Sequence, residues 1–307
     1  MAQDKLDKQE KLPWQSKLVL LAVLPFAGTG VLLSCFAWAT ESVAVVASVA
    51  GLSVLLGLVT WRLRAATPMA AASGALITAS LMFSTAAFPL EPSHFEPWHT
   101  ALIPVLAVSL LAFAATRAGR AKKERLGTAE GRRGRSASQV AANLGVAALV
   151  ASEPVKIWLL NSRWLPSAAH PGALLLALPL AALAEAASDT VSSEIGQVLG
   201  GRPRMITTLR AVDPGTDGAV SVAGTLAGIV AAAIVAGAGS WALRGDWVLF
   251  TLSCAGAVFG LLFDSLLGAT LEKRGWLNND AVNFLSTASA AGFALLLLAF
   301  VPIHGIG

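Results

Sequence analysis

Two acidic motifs in apolar surroundings are the residues of this chain best suited to do chemistry. In SDTVSSEIGQVLG, Ser188 to Gly200, Asp189 and Glu194 stand at the end of an apolar segment with Ser192 and Ser193 between them. Further on, AVFGLLFDSLLGAT sets Asp264 and Ser265 behind a hydrophobic run. A charged side chain costs about 2.5–3.5 kcal/mol at the centre of a membrane helix, so acids near lipid depth face a polar cavity or an ion. The two motifs imply a catalytic or ion-binding centre at a membrane surface. Oxygen ligands of this type suit Mg²⁺, which keeps several waters and is held by one or two carboxylates plus substrate phosphates. On a helix Glu185, Asp189 and Ser193 form one stripe at i, i+4, i+8, whereas Glu194 points about 140° away from Asp189. Asp189 and Glu194 therefore converge on one ion only if the helix loosens near Ser192. The alternative is a set of interfacial acids, solvated or paired with Arg202 or Arg204.

Between the two motifs runs RPRMITTLRAVDPGTDGAVSVAGTLAG, Arg202 to Gly228. Pro214-Gly215 breaks the chain, and Gly215, Thr216, Asp217 and Gly218 form a turn into the next span. Backbone N–H groups at a glycine-rich helix start make a phosphate cradle, to which Thr207, Thr208 and Thr216 add hydroxyls. Arg204 and Arg210 are able to neutralise phosphate oxygens. Ordinary N-capping is the competing reading of the turn. No G-x-x-x-x-G-K-[ST] loop occurs. Gly224-x-x-x-Gly228 reads as close helix packing.

A third polar stretch, Arg117 to Ser138, carries eight basic and two acidic residues with four glycines. It reads as a solvated loop, or as a collector of phosphate. Directly after it Gln139 and Asn143 share a helical face, where amides either join helices or line a polar site.

The elements that must position these residues are membrane helices. Hydrophobic residues make up 55% and charged residues 13% of the 307 positions, and mean hydropathy is +0.69. That is too little charge to cover a soluble protein, so the chain reads as an all-α polytopic transmembrane bundle. Continuous Ala/Leu-rich runs, rather than alternation, exclude a closed barrel. Nine spans are expected, near Leu18–Ala39, Val43–Thr60, Met69–Leu90, Ala101–Thr116, Val140–Ala151, Ala173–Ala187, Val220–Leu243, Trp247–Ala269 and Val282–Val301; the fifth and sixth are short. With the N-terminus cytoplasmic, this topology places every Lys and Arg inside except Lys156, Arg163 and Arg244, as the positive-inside rule requires. The four histidines, His94, His99, His170 and His304, fall outside and are too dispersed for a zinc site. Trp14, Trp38, Trp61, Trp98, Trp241, Trp247 and Trp276 lie near span ends, where indole rings favour the interface. The net charge of +4 is topological in origin and does not imply nucleic-acid binding. Cys35 and Cys254 both fall inside spans and imply packing, not a disulfide or metal framework. A second span and an inside basic pair follow the first span without any soluble secreted domain, which argues against a cleaved leader ending at Ala37-Trp38-Ala39.

Taken in order, SDTVSSEIG, ITTLRAVDPGTDGAVSVAGTLAG, GLLFDSLLGATLE and LNNDAVNFLST resemble the domain-of-unknown-function ninety-two family of membrane proteins, which includes chloroplast phytyl phosphate kinase. The resemblance runs from about Thr67 to Phe300, so residues 1–66 form a two-span extension and 67–301 a family-like core with the basic linker 117–138. Ser188 replaces an alanine of the family pattern before the Asp-Thr pair. The resemblance implies transfer of a phosphoryl group from a nucleoside triphosphate, CTP, to a phytyl- or prenyl-type lipid monophosphate in the membrane. Under that implication Asp189, Glu194 and Asp264 hold Mg²⁺, and Thr207, Thr208, Gly215, Thr216, Asp217, Gly218 and Ser265 surround the phosphates. Arg135, Arg204 and Lys123 draw in the anionic nucleotide or lipid head, and Asn143, Asn279 and Asn283 complete the pocket. The expected location is a bacterial inner membrane with the active face cytoplasmic. A lipid or ion-coupled transporter would want inverted repeats and a midplane site; a CTP-dependent cytidylyltransferase would use similar groups but release pyrophosphate.

Overall fold

A computed structural model describes residues 12–86, 95–129, 134–162 and 175–300. Lys5, Lys8, Lys11, Leu90, His94, Arg132, Arg133, Arg163, His170, Ala173, Val301 and His304 lie outside the described residues. The described chain is helical throughout its apolar runs: α1 Pro13–Glu41, α2 Val43–Arg62, α3 Pro68–Thr85, α4 Leu102–Arg117, α5 Arg120–Leu126, α6 Ala137–Ala151, α7 Glu153–Leu160, α8 Ala177–Leu199, α9 Val222–Ala242, α10 Trp247–Leu267 and α11 Asn279–Leu298. Two-residue strands, β1 Arg204–Met205 and β2 Ala219–Val220, pair antiparallel across the turn before α9.

Helix starts follow local chemistry. Thr67 precedes Pro68 and accepts from Ala70 N, Ser221 from Gly224 N, Asp246 from Val248 N and Leu249 N, and Asn278 from Ala281 N. Each satisfies an N–H that the first helical turn leaves open. Ser136 and Gln139 close a reciprocal capping box at α6. The amide of Gln139 is thus used for capping rather than for a polar site.

Among the described residues six helices, α1, α2, α3, α9, α10 with its extension to Glu272, and α11, are long and apolar enough to cross a membrane. The count rises to eight if each bent pair is one span: α4 with α5 meets at 62° and α6 with α7 at 52°. The expected polytopic helical bundle is present, and among the described residues six to eight of the nine expected spans meet this test of length and apolarity. The difference is α8, long enough at 23 residues to cover about 34 Å, yet too acidic to pass as an apolar span.

That helix is the centre of the molecule. It contacts α4, α6, α9, α10 and α11, and from Ala177 to Ser188 every residue is buried. Six alanines in that stretch leave room for neighbouring backbones. Gly224 and Gly228 of α9 lie against Ser192 O and Ser188 O, where an added Cβ would stand 2.7 and 2.9 Å from those carbonyls. Large apolar side chains such as Phe36, Val222 and Trp247 point outward, as lipid-facing positions do. Six of the seven end-of-span tryptophans are exposed; Trp38 is buried against Val45 and Val49.

The N-terminal pair of helices is packed onto the core. Val23 of α1 fills the space over Gly145 of α6. Gln15 donates to Trp276 O (2.8 Å), and Ser16 donates to Asp280 Oδ2 (2.6 Å). Polar contacts of this kind gather the basic segments at one end of the bundle. Arg117 donates to Leu63 O (2.9 Å), Lys122 to Val198 O (2.7 Å), and Thr67 N to Arg135 O (3.0 Å). Arg244 pairs with Glu96 (2.7 Å) at the opposite end.

Candidate active site

The acids of the sequence motifs meet at the basic end, but not in the expected set. Because α8 runs unbroken from Ala177 to Leu199, Asp189 faces α10 with Glu185 one turn away, and Glu194 points elsewhere. Asp264, near the end of α10, feels the charges of Asp189, Glu185 and Glu272. Ser286 of α11, whose hydroxyl donates to Asn283 O (3.0 Å), lies near both Glu185 and Asp264. Glu185 is 1% exposed; Asp264 is half-buried as a residue. Glu185 Oε1 and Asp264 Oδ2 are enclosed without a hydrogen-bond partner among the described residues. Buried carboxylate oxygens left bare are costly unless something charged or protic meets them.

Gly260 makes this approach possible. A Cβ there would lie 2.5 Å from Glu185 Cγ and 3.0 Å from Ser286 O, so α8, α10 and α11 touch where the acids are held. Just beyond Asp264 the helix widens into a single π turn, Gly268–Glu272, a distortion often found at functional sites. Sequence reasoning placed Glu185 on the Asp189 stripe without assigning it a role, and it missed Glu272 and Ser286. The i, i+4 spacing of Glu185 and Asp189 was the available signal; nothing local marked the other two.

The glycine-rich turn lies directly on that widened segment. Gly218 has φ +74°, and a Cβ on it would stand 2.3 Å from Ala269 N. Only glycine combines this left-handed backbone with so close an approach. Gly215, at φ +82°, faces Thr128 of the linker with 2.6 Å between its hypothetical Cβ and Cγ2. Gly218 is thereby seated on the π turn that follows Asp264, with its own turn closed by Thr216 Oγ1 donating to Asp213 O (2.7 Å). Asp217 is half-buried in the same turn. Thr207, Thr208 and Arg204 lie on the exposed rim. Arg204 donates to Leu209 O (2.8 Å), and Thr208 Oγ1 accepts from Arg210 N. The Ser265 hydroxyl donates back to Leu261 O (3.3 Å) within its own helix.

Arg135 reaches the site from the linker. Its backbone is clipped between α2 and α3 by Arg135 N donating to Ala65 O and Thr67 N donating to Arg135 O, both at 3.0 Å. Gly134 permits the clip, since with φ +76° a Cβ would strike Ala65 C at 2.6 Å. The guanidinium donates to Thr190 Oγ1 at 3.2 Å, beside Asp189. Asn283 donates to Asn143 Oδ1 across α11 and α6 at a long 3.4 Å, and Asn279 opens α11 half-buried.

Lys123 and Glu194 depart from the expected roles. Lys123 is 1% exposed, and its ammonium donates to Ala115 O (2.9 Å), Thr116 O (2.8 Å) and Glu194 Oε2 (2.5 Å). Three donors meet three acceptors, leaving no N–H for an incoming anion. The pair ties α5 to α8, and Glu194 is consumed by it instead of turning to Asp189.

Among the described residues no three His, Cys, Asp or Glu side chains are grouped to hold a metal ion. The bare oxygens of Glu185 and Asp264, next to Asp189, suit a hard cation that completes its shell with water and substrate phosphate, which is how Mg²⁺ is usually held. They do not form an all-protein cage.

The family described as integral membrane protein DUF92 matches residues 51–291. An uncharacterized membrane protein of Methanocaldococcus jannaschii is 44% identical over 35% of this chain and 45% of its own length. Another, of Synechocystis, is 36% identical over 64% of this chain and 73% of its own. Protein VTE6, chloroplastic, of Arabidopsis thaliana is 30% identical over 70% of this chain and 64% of its own. The chain thus spans under half of the archaeal relative. No solved structure matches it.

Proposed function

The chain belongs to the integral membrane protein DUF92 family, and from that premise we propose that it is a membrane lipid-phosphate kinase. It transfers the γ-phosphoryl group of a nucleoside triphosphate, CTP, to a phytyl- or prenyl-type monophosphate. An oxygen of the lipid phosphate attacks the γ-phosphorus, the bond from that phosphorus to the β–γ bridging oxygen breaks, and the nucleoside diphosphate leaves with the electron pair. The observation that carries this reading is the seat of the Gly215–Gly218 turn on the π turn that follows Asp264, about one helical turn from an unpartnered acid oxygen. Phosphoryl transfer needs positioning and charge neutralisation more than covalent chemistry.

In this assignment Asp189 and Asp264, with Glu185 behind them, hold Mg²⁺, which when bound neutralises phosphate oxygens. Gly215 and Gly218 hold phosphate through backbone N–H groups, and Arg135 steadies an anionic group beside Thr190. The similarity to Protein VTE6, together with the resemblance to a family that includes chloroplast phytyl phosphate kinase, supports a prenyl-type acceptor. The clustering of basic segments at the site end supports a cytoplasmic active face in a bacterial inner membrane. The test supplies purified protein with CTP, Mg²⁺ and a prenyl monophosphate. CDP and a prenyl diphosphate are expected; pyrophosphate with a cytidylylated lipid would replace the kinase by a cytidylyltransferase.

A further inference from the structure

A cavity of about 520 Å³ opens between α2, α3, α4 and α6, within the usual range for small-molecule sites. Its inner wall is mainly apolar, with Leu56, Gly74, Val105, Val108, Val140 and Leu144, interrupted by Thr78, Ser109 and Asn143. Its mouth carries Arg64, Arg117, Arg120 and Arg135 against one acid, Glu124. From Arg117 to Val105 along α4 the lining descends twelve residues, about 18 Å. The mouth lies at the end of the bundle where α2 and α4 finish and α3 and α6 begin, the end that holds the acid cluster.

Two of the mouth cations, Arg117 and Arg120, are held in place but not used up. Arg117 stacks its guanidinium 3.5 Å over the Phe113 ring and donates one N–H to Leu63 O. Arg120 pairs with Glu124 at 3.0 Å. A guanidinium has five N–H donors, so both retain donors for an anion. Arg135 belongs to the cavity and also touches Thr190 of α8, which links the mouth to the helix that carries Asp189. An apolar slot capped by excess positive charge selects an amphiphile with a hydrocarbon chain and an anionic head.

We infer that this cavity is the acceptor site, taking the hydrocarbon chain of a single-chain lipid monophosphate with its phosphate at Arg64, Arg117, Arg120 and Arg135. The inference rests on the kinase reading for the identity of the lipid, but it concerns binding and is separable from turnover. Two cavity-filling variants on different helices, Gly74→Leu and Ser109→Phe, and the mouth variant Arg64→Gln test it in the full chain reconstituted in nanodiscs. Binding of labelled geranylgeranyl monophosphate is measured, with CTP binding to the same samples as the control for folding.

Each filling variant is expected to abolish lipid binding with CTP binding retained. Arg64→Gln is expected to weaken it about tenfold, the loss of one charge-assisted contact, and the loss should shrink at high salt. Wild-type lipid binding in both filling variants overturns the assignment. So does competition by inorganic phosphate as strong as by the lipid, which would leave a phosphate site without a chain slot, or equal binding of two-chain phosphatidic acid. Lipid binding that obeys the variants without any CTP turnover keeps the cavity and removes the kinase; turnover indifferent to the filling variants does the reverse.

Discussion

Replacing Lys123 by Met is the perturbation that best separates a structural cation from one that recruits anions. The side chain is 1% exposed, and its removal strips partners from Ala115 O, Thr116 O and Glu194 Oε2 at once. Glu194, 14% exposed at its side chain, keeps a charge in a site built for a pair. Breaking one side of a buried ion pair costs about 3–5 kcal/mol, mainly because the other charge is stranded. Glu194→Gln retains an amide oxygen for the ammonium and should cost less, about 1–3 kcal/mol. The double variant Lys123→Met, Glu194→Leu removes both charges and should recover much of the loss of the single lysine change. Unfolding titrated with sodium dodecyl sulfate from mixed micelles, read by tryptophan fluorescence, measures all three, and initial rates with CTP measure function. Glu194→Gln should keep Mg²⁺-dependent turnover, since its oxygen faces α5 rather than Asp189. A Lys123→Met protein of wild-type stability with a raised KM for CTP would refute the reasoning, because the ammonium would then be meeting the nucleotide.

Other expectations bear on the acids, the close contacts and the topology. Asp189→Asn and Asp264→Asn should each lower turnover about 100-fold or more with membrane insertion unchanged, as expected when a charge aimed at the reacting phosphates is lost; full activity in Asp264→Asn would leave Asp264 outside the site. Gly260→Ala places a methyl group 2.5 Å from Glu185 Cγ and should cost about 1–3 kcal/mol by overpacking, measured by the same titration. Gly218→Ala forces a left-handed backbone and a collision with Ala269, at a cost of about 1–3 kcal/mol, and should raise the KM for CTP more than it lowers stability. In a Cys35→Ser, Cys254→Ser background, single cysteines at Gly127 and Trp98 should label from opposite sides of the membrane; labelling from one side would break the orientation drawn from the basic residues.

Hydropathy and charge carried the class of this protein because both act through local composition. Runs such as Val222–Ala242 must be helical in lipid, where each N–H and C=O needs a partner within its own segment, and no tertiary information was required to see it. The same holds for the Gly224-x-x-x-Gly228 contact, whose small residues admit a second backbone wherever one is available. The standing of α8 as a span was not legible, because its acids lower its apolarity while burial among five neighbouring helices supplies what lipid would not tolerate. Nor did spacing choose between Glu185 and Glu194 as companions of Asp189. Helical phase left both outcomes open, depending on whether the helix loosened at Ser192, and the unbroken packing against Gly224 and Gly228 decided it. Lys123 read in the sequence as a linker charge that recruits anions or is merely solvated, and it is an interior cation in the fold, since its depth depends on α5 bending back onto α8. Glu272 and Ser286 entered the site from elements 80–100 residues along the chain from Asp189. Their proximity arises from the way α8, α10 and α11 close over Gly260, which a linear pattern does not encode.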